Sequence, residues 1–357
     1  MGKFTAIDDP SVHFQTTLYT GAGAGQTVTN GGNSDLKPDF LWIKRRNAGY
    51  AHFVVDSNRG LGSSNPPYLE TDSAAAENSN QNWISGVGTD SFTIGINEQN
   101  LSNTSGTYVA WQWKANGGTT ATNSDGNITS TVQANQDAGF SIVTWTGNES
   151  ASATVGHGLG VTPKVVMIKS RSGAYSWNVY LGALPQTSGN NMFCFLDTTS
   201  AAFQVAGTAF NSSTFQPSGN VKRNGGSMLA YCFAEKQGYS KFGSYVGNGN
   251  GANGPFVYTG FKPAFVMIKV TSAVEGWVMF DNKRKDFNQD AAVNSLYANT
   301  SQAEYTGASY HNVDLLSNGF KVLLTNVAIN QSGASYIYMA FAESSFVSSL
   351  GIPTTAR

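Results

Sequence analysis

Two acid–base pairs stand out in a chain with few charges. Asp56 and Arg59 lie in HFVVDSNRG, and Asp281 and Arg284 lie in WVMFDNKRK. At this spacing the aspartate ends a strand and the arginine folds back onto it in a charge-assisted bond. The other use of such a pair is contact with a ligand or a partner chain, so all four residues are candidates for that role. Glu235 and Glu343 each end an aromatic strand after an alanine. A glycosidase needs two carboxylates about 5–10 Å apart, and the E-x-D-x-E strand of sandwich glucanases does not occur here. His13, His52, His157 and His311 show no H-x-x-H or C-x-x-C spacing, so no metal site is expected. His157, in the turn GHGLG, reads as a surface or hinge residue. No G-x-S-x-G elbow is found. The Gly247–Gly254 run GNGNGANG lacks the Lys-Ser/Thr of a phosphate loop and reads as a hairpin. No enzyme and no cofactor are therefore expected.

Trp83, in QNWISGV, is the aromatic residue best placed for a sugar or partner contact, because it lies among loops. Trp42, Trp145, Trp177 and Trp277 fall on strands rich in apolar residues and read as core. Cys194 and Cys232 lie in aromatic runs and read as small buried side chains, with a disulfide open if their strands are neighbours.

These residues are positioned by a recurring unit. A proline followed by an apolar run ending in lysine reads KPDFLWIK at Lys37–Lys44, TPKVVMIK at Thr162–Lys169 and KPAFVMIK at Lys262–Lys269. An aromatic-x-Gly turn precedes each, at Tyr19, Trp145 and Tyr245, and the gaps to the proline differ by one residue at most. Each copy closes with an aromatic strand: YVAWQWK, LAYCFAE and YMAFAE. The near-continuous apolar anchors suit strands buried on both faces. Proline at a strand's first position fits, since it donates no ladder bond. Lys44-Arg45-Arg46 reads as a solvated strand end.

The expected fold is all-β: three tandem β-sandwich units of jelly-roll or lectin-like type, with an immunoglobulin-like sandwich as the alternative. Residues 13–115 form the first, 138–237 the second and 238–346 the third. Residues 1–12 form an N-terminal docking segment, and 347–357 a C-terminal tail. Residues 116–137, NGGTTATNSDGNITSTVQANQD, read as a polar linker. On that reading units two and three pack as a close pair and unit one moves more freely.

Composition narrows the function further. The chain has 357 residues, 12% charged and 40% hydrophobic, with 40 glycines and a net charge of −1. Such a surface offers uncharged hydrogen bonding and no basic patch for nucleic acid. No run of 18 apolar residues occurs, so no membrane insertion is expected, and no signal peptide is visible.

Phrases such as FTAIDDPSVHFQTTLYTGAG, VGHGLGVTPKVVMIKSRSGAYSWNVY and AYCFAEKQGYSKFGSYVGNG resemble a family of uncharacterised virion proteins of tailed bacteriophages of marine bacteria. The resemblance covers Phe4 to Phe346. It implies a lectin-like tail fibre or appendage, assembled in the host cytoplasm and released by lysis. Other virion proteins and host surface glycan are the implied partners, with a homotrimer as the implied assembly. Asp8, Asp9 and Pro10 would then dock the protein on the particle. The alternatives are a capsid or tail decoration protein and, third, a polysaccharide depolymerase. Ligand contacts are expected where the copies differ, around Trp83, Leu184–Asn191 and Lys285–His311.

Overall fold

The computed structural model describes residues 6–344, apart from 64, 80–81, 187–189, 223–224, 285–293 and 308–310, and apart from the side chains of 220 and 222. The expected tail at 347–357 and parts of the loops at 184–191 and 285–311 lie outside these residues. The protein is all-β with a sandwich-like arrangement of sheets, and there is no α-helix among the described residues.

Residues 13–115 carry β1 (Phe14–Thr20), β2 (Gln26–Thr29), β3 (Phe40–Arg45), β4 (Phe53–Asp56), β5 (Ile84–Gly88), β6 (Ser91–Ile94) and β7 (Thr107–Trp113). Next come β8 (Ala121–Asn123), β9 (Ser130–Asn135), β10 (Phe140–Thr146), β11 (Val155–Gly156), β12 (Val165–Ser170) and β13 (Asn178–Leu181). They are followed by β14 (Asn190–Phe195), β15 (Phe203–Ala206), β16 (Thr214–Phe215) and β17 (Ser227–Phe233). The last stretch holds β18 (Ser240–Val246), β19 (Phe256–Tyr258), β20 (Phe265–Val270), β21 (Trp277–Asp281) and β22 (Asn294–Tyr297). It ends with β23 (Tyr305–Thr306), β24 (Val313–Leu316), β25 (Gly319–Val322) and β26 (Ser335–Phe341).

Three larger sheets share one order. It runs β1-β7-β3-β4 in the first, β10-β17-β12-β13 within the second and β18-β26-β20-β21 within the third. Each faces a smaller sheet: β2-β6-β5, β11-β16 and β19-β25-β24. All the strand pairings among the described residues are antiparallel, and the registers of the larger sheets correspond. Phe40, Val165 and Phe265 on the anchor strands sit opposite Trp113, Phe233 and Phe341.

The anchor and closing strands are apolar throughout because both of their faces are covered. Leu41 and Ile43 point into the core between the two sheets of the first unit, with Phe53, Phe92 and Tyr108. Val166 and Ile168 do the same in the second unit, and Val266 and Ile268 in the third. The alternate residues, Phe40, Trp42, Val165, Met167, Phe265 and Met267, all enter one further core shared by the three larger sheets. At its centre the rings of Trp113, Phe233 and Phe341 form a triangle. Their centroids lie 6.3 Å, 5.5 Å and 5.7 Å apart. Period-2 alternation thus sends every second side chain to a private core and the others to a common one.

Three expectations need correction. Residues 116–137 are not simply a linker, since they contribute β8 and β9, which extend the second sheet beyond β10. Their polar composition reflects an outlying position, and Gln133 is still buried, accepting a hydrogen bond from Ser57 Oγ at 2.6 Å. Nor is the first unit the loose one, because its Phe14, Phe40, Trp111 and Trp113 fill the common core. The run Gly247–Gly254 is not a hairpin within one sheet. It carries the chain from β18 to β19, which lie in different sheets.

Candidate functional site

The Asp-x-x-Arg pairs sit at the joints between units, fully buried. The Asp56 carboxylate accepts from the Arg59 backbone N–H at 2.9 Å, capping a short 3-10 turn, and pairs with Arg59 Nε at 2.6 Å. It also accepts from the Tyr231 hydroxyl of the second unit at 2.7 Å. Arg59 reaches Glu77 at 2.7 Å, and Glu77 pairs with Arg171 of the second unit at 2.8 Å. Asp281 and Arg284 repeat this against the first unit. Their side chains meet at 2.5 Å, Trp111 Nε1 donates to Asp281 at 3.0 Å, and Glu304 bridges Arg284 and Arg46 at 2.8 Å each. The Arg284 guanidinium also lies over the Trp111 ring, 5.4 Å from its centroid. Burial alone would pull Arg59 toward neutrality, but Asp56, Tyr231 and Glu77 more than offset it and hold the guanidinium charged. The four residues expected as ligand contacts are therefore internal clips, because no ligand reaches a side chain buried on both partners.

At the third joint the same positions are apolar. Leu181 stands where Asp56 and Asp281 stand, opposite Val165 in the register. Leu184, Ala202 and Met339 replace the arginine, the bridging glutamate and the hydrogen-bonding aromatic, and all of them pack into or against the common core. The joint that lacks the acid–base clip thus lacks its partners as well.

Three further bonds recur at every joint. Lys44, Lys169 and Lys269 donate across it to the carbonyls of Ser301, Ala74 and Thr199 at 3.1, 2.8 and 3.1 Å. Trp177 and Trp277 donate from Nε1 to the carbonyls of Glu70 and Phe195 at 2.9 Å, and His52 Nε2 takes the same role toward Tyr297 at 2.9 Å. Backbone N–H groups of Glu77, Ala202 and Glu304 bond to the carbonyls of Arg171, Thr271 and Arg46 at 2.8, 2.9 and 2.7 Å. Burial pushes the Lys44 and Lys169 ammonium groups down to about 8. Lys44 and Arg45 are buried, so Lys44-Arg45-Arg46 is a joint and not a solvated strand end.

His52 is held neutral by geometry. Its Nδ1 accepts from Trp42 Nε1 at 2.8 Å, so its Nε2–H donates to Tyr297. Burial and the neighbouring Lys44 charge keep its pKa well below the ordinary value. The other units solve this position with a methionine and a tryptophan, Met167 with Trp177 and Met267 with Trp277. A depressed histidine pKa means that the unfolded chain binds the extra proton. Its stabilisation is complete above about pH 6.5 and is lost as the pH falls below it. The double variant Trp42→Met/His52→Trp is expected to fold and to keep more of its urea midpoint than the wild type between pH 7 and 5. Equal losses in the two proteins would refute this assignment.

His157 is buried, not a surface hinge. It holds the Asn211 carbonyl at 3.1 Å and accepts from the Leu159 N–H at 3.2 Å. Cys194 and Cys232 are free and buried in different cores, on opposite faces of the second sheet. Asp9 and Pro10 are also committed internally. Asp9 caps the 3-10 turn Pro10–Val12 through Ser11 N–H at 2.9 Å and accepts from Ser34 Oγ at 2.6 Å, while Pro10 is buried in that turn. Asp8 is exposed beside them. Trp83 is half-buried against Tyr68 and Phe53, with centroids 4.8 and 5.8 Å away, so it covers the first unit's core and shows only part of its ring.

The surface holds two concavities worth comparing. One, of about 390 Å³, lies where Ala74 of the first unit meets Tyr175, Phe195 and Phe203 of the second. The other, of about 290 Å³, lies between the turn that joins the second and third units and the outer sheet of the third. Its walls are Glu235, Gln237, Gly238, Ser240, Lys241, Tyr258, Thr259 and Gly260. Tyr258 was not singled out from the sequence. The available signal was the alternation Phe256-Val257-Tyr258, which buries the valine and leaves both rings outside at 48% and 63% exposure.

Sheets paired face to face around a common core define an all-β protein with a sandwich-like arrangement. The chain belongs to a family described as Domain of unknown function (DUF7483), whose model matches residues 9–345. That span takes in all three larger sheets. No curated protein and no solved structure matches the chain.

Proposed function

We propose that the chain is three copies of one sandwich unit, closed into a rigid body, and that it serves as an adhesive structural protein of a bacteriophage particle. On this reading it sits on a tail fibre or appendage, meets host surface glycan or neighbouring virion proteins, and has no catalytic role. The observation that carries the proposal is the distribution of charge. Asp56, Arg59, Asp281, Arg284, Lys44, Lys169 and Lys269 are buried at the joints. What faces outward is largely Gly, Asn, Ser and Thr, with exposed rings such as Tyr258. A stiff body with an uncharged, hydrogen-bonding exterior suits repeated weak contacts summed by avidity. A homotrimeric or otherwise multivalent arrangement on the particle would supply the valency.

The experiment is to locate the chain in intact particles by electron microscopy and to measure adsorption of multivalent purified protein to host cells. A tail position with saturable adsorption supports the proposal. A capsid-lattice position without adsorption favours the decoration reading. Release of reducing sugar from host capsule would favour a depolymerase.

A further inference from the structure

We propose that the 290 Å³ concavity at Tyr258 is a binding site for one neutral sugar ring. The proposal rests on the adhesive reading above and gives it a site and a ligand class.

Three features converge there. Tyr258 is the most exposed aromatic residue among those described, at 63%, and it stands at the pocket wall on the outer strand β19. An aromatic face held out of the core offers a flat apolar platform for the C–H face of a pyranose, with a polar hydroxyl at its end. Gly260 keeps the ring's flank open. It has φ +84°, and a Cβ there would lie 3.5 Å from the Tyr258 hydroxyl oxygen.

The second feature is the Glu235–Lys241 pair on the same pocket wall, at 2.5 Å. Both side chains are about one-third exposed, so each keeps hydrogen-bonding capacity toward the cavity. Glu235 Oε1 is engaged by Lys241, which leaves Oε2 to accept from a sugar hydroxyl, and Lys241 has further N–H donors. Gln237, exposed on the joining turn, adds an amide that both donates and accepts.

The third feature is the balance of charge and size. One carboxylate and one ammonium cancel, so the pocket selects neither an anionic nor a cationic ligand. Its volume is at the lower end of ligand sites, large enough for one small ring and too small for a folded segment. The pairing is specific to this part of the chain. The glutamate recurs as Glu343 just past the end of β26 but is Ala115 in the first unit, and position 241 is Gln15 there and Ser141 in the second.

The test uses the full chain and saturation-transfer NMR. The probes are the methyl glycosides of glucose, galactose and mannose and N-acetylglucosamine, with sialic acid and glucosamine as charged controls. The wild type is expected to bind at least one neutral probe through its ring protons, and to bind the charged controls less. Tyr258→Ala should weaken binding about tenfold or more, whereas Tyr258→Phe, which keeps the platform, should retain it. Lys241→Met should weaken binding without changing the circular dichroism spectrum, as expected for a partly exposed side chain. Unchanged binding by Tyr258→Ala would overturn the site while leaving the adhesive reading intact. Host-cell adsorption by the wild type without binding of any neutral probe would overturn the ligand class. Failure of both adsorption and sugar binding would remove the adhesive reading itself.

Discussion

Replacing Asp56 by alanine is expected to destabilise the protein by about 3–5 kcal/mol, read as a lowered urea midpoint at pH 7. The reason is what the variant leaves behind. Arg59, with no exposed side-chain surface, loses its 2.6 Å partner, the turn Ser57–Arg59 loses its cap, and the Tyr231 hydroxyl loses its acceptor. A buried charge stripped of its closest partner, with only the half-buried Glu77 left to face it, is costlier than a missing pair. The molecule supplies its own control, because the third joint is built without the clip. Copying that joint with Asp56→Leu, Arg59→Leu, Glu77→Ala, Arg171→Thr and Tyr231→Met should recover most of the loss. Apolar groups of similar volume often match or exceed a buried ionic network. If the single variant is near neutral, or the fivefold variant is no better than the single one, the clip does not act as described.

The second large effect is expected at the central triangle. Phe341→Ala removes a fully buried ring that touches Trp113, Phe233 and Phe265 at once. Truncating such a ring costs about 3–5 kcal/mol, through lost transfer energy and the cavity left behind. The position makes the variant informative as well as severe. Phe341 belongs to β26 of the third unit, yet two of these neighbours, Trp113 and Phe233, lie on β7 and β17 of the other two. Native-state hydrogen exchange should therefore accelerate for amides of β3, β12 and β20 together. Acceleration confined to β20 would mean that the three sheets do not act as one body.

The recurrence of the proline–lysine anchor and of the closing aromatic strand was legible in the sequence. So was the two-faced burial of the anchors, since LWI and VMI leave no polar face to offer water. The closure of the units on one another was not. Its bonds join side chains to backbone carbonyls 70 to 257 residues away, and a carbonyl leaves no residue signature. The donors also differ, with His52 doing in one unit what Trp177 and Trp277 do in the others. One faint signal existed: Asp72, Asp197 and Asn299 each follow these donors by 20 to 22 residues and accept their backbone N–H at 2.9, 2.9 and 2.8 Å. Asp56 and Arg59 were noticed because they repeat, and that repetition marked a joint instead of a ligand site. Tyr258 escaped notice because its exposure depends on the outer sheet, which varies most between units.

Differential scanning calorimetry of the full chain, with the calorimetric and van't Hoff enthalpies compared, tests the central claim most directly. Three units sharing one core should unfold in a single transition with the two enthalpies nearly equal. Two separable transitions, with residues 13–115 melting on their own, would contradict it.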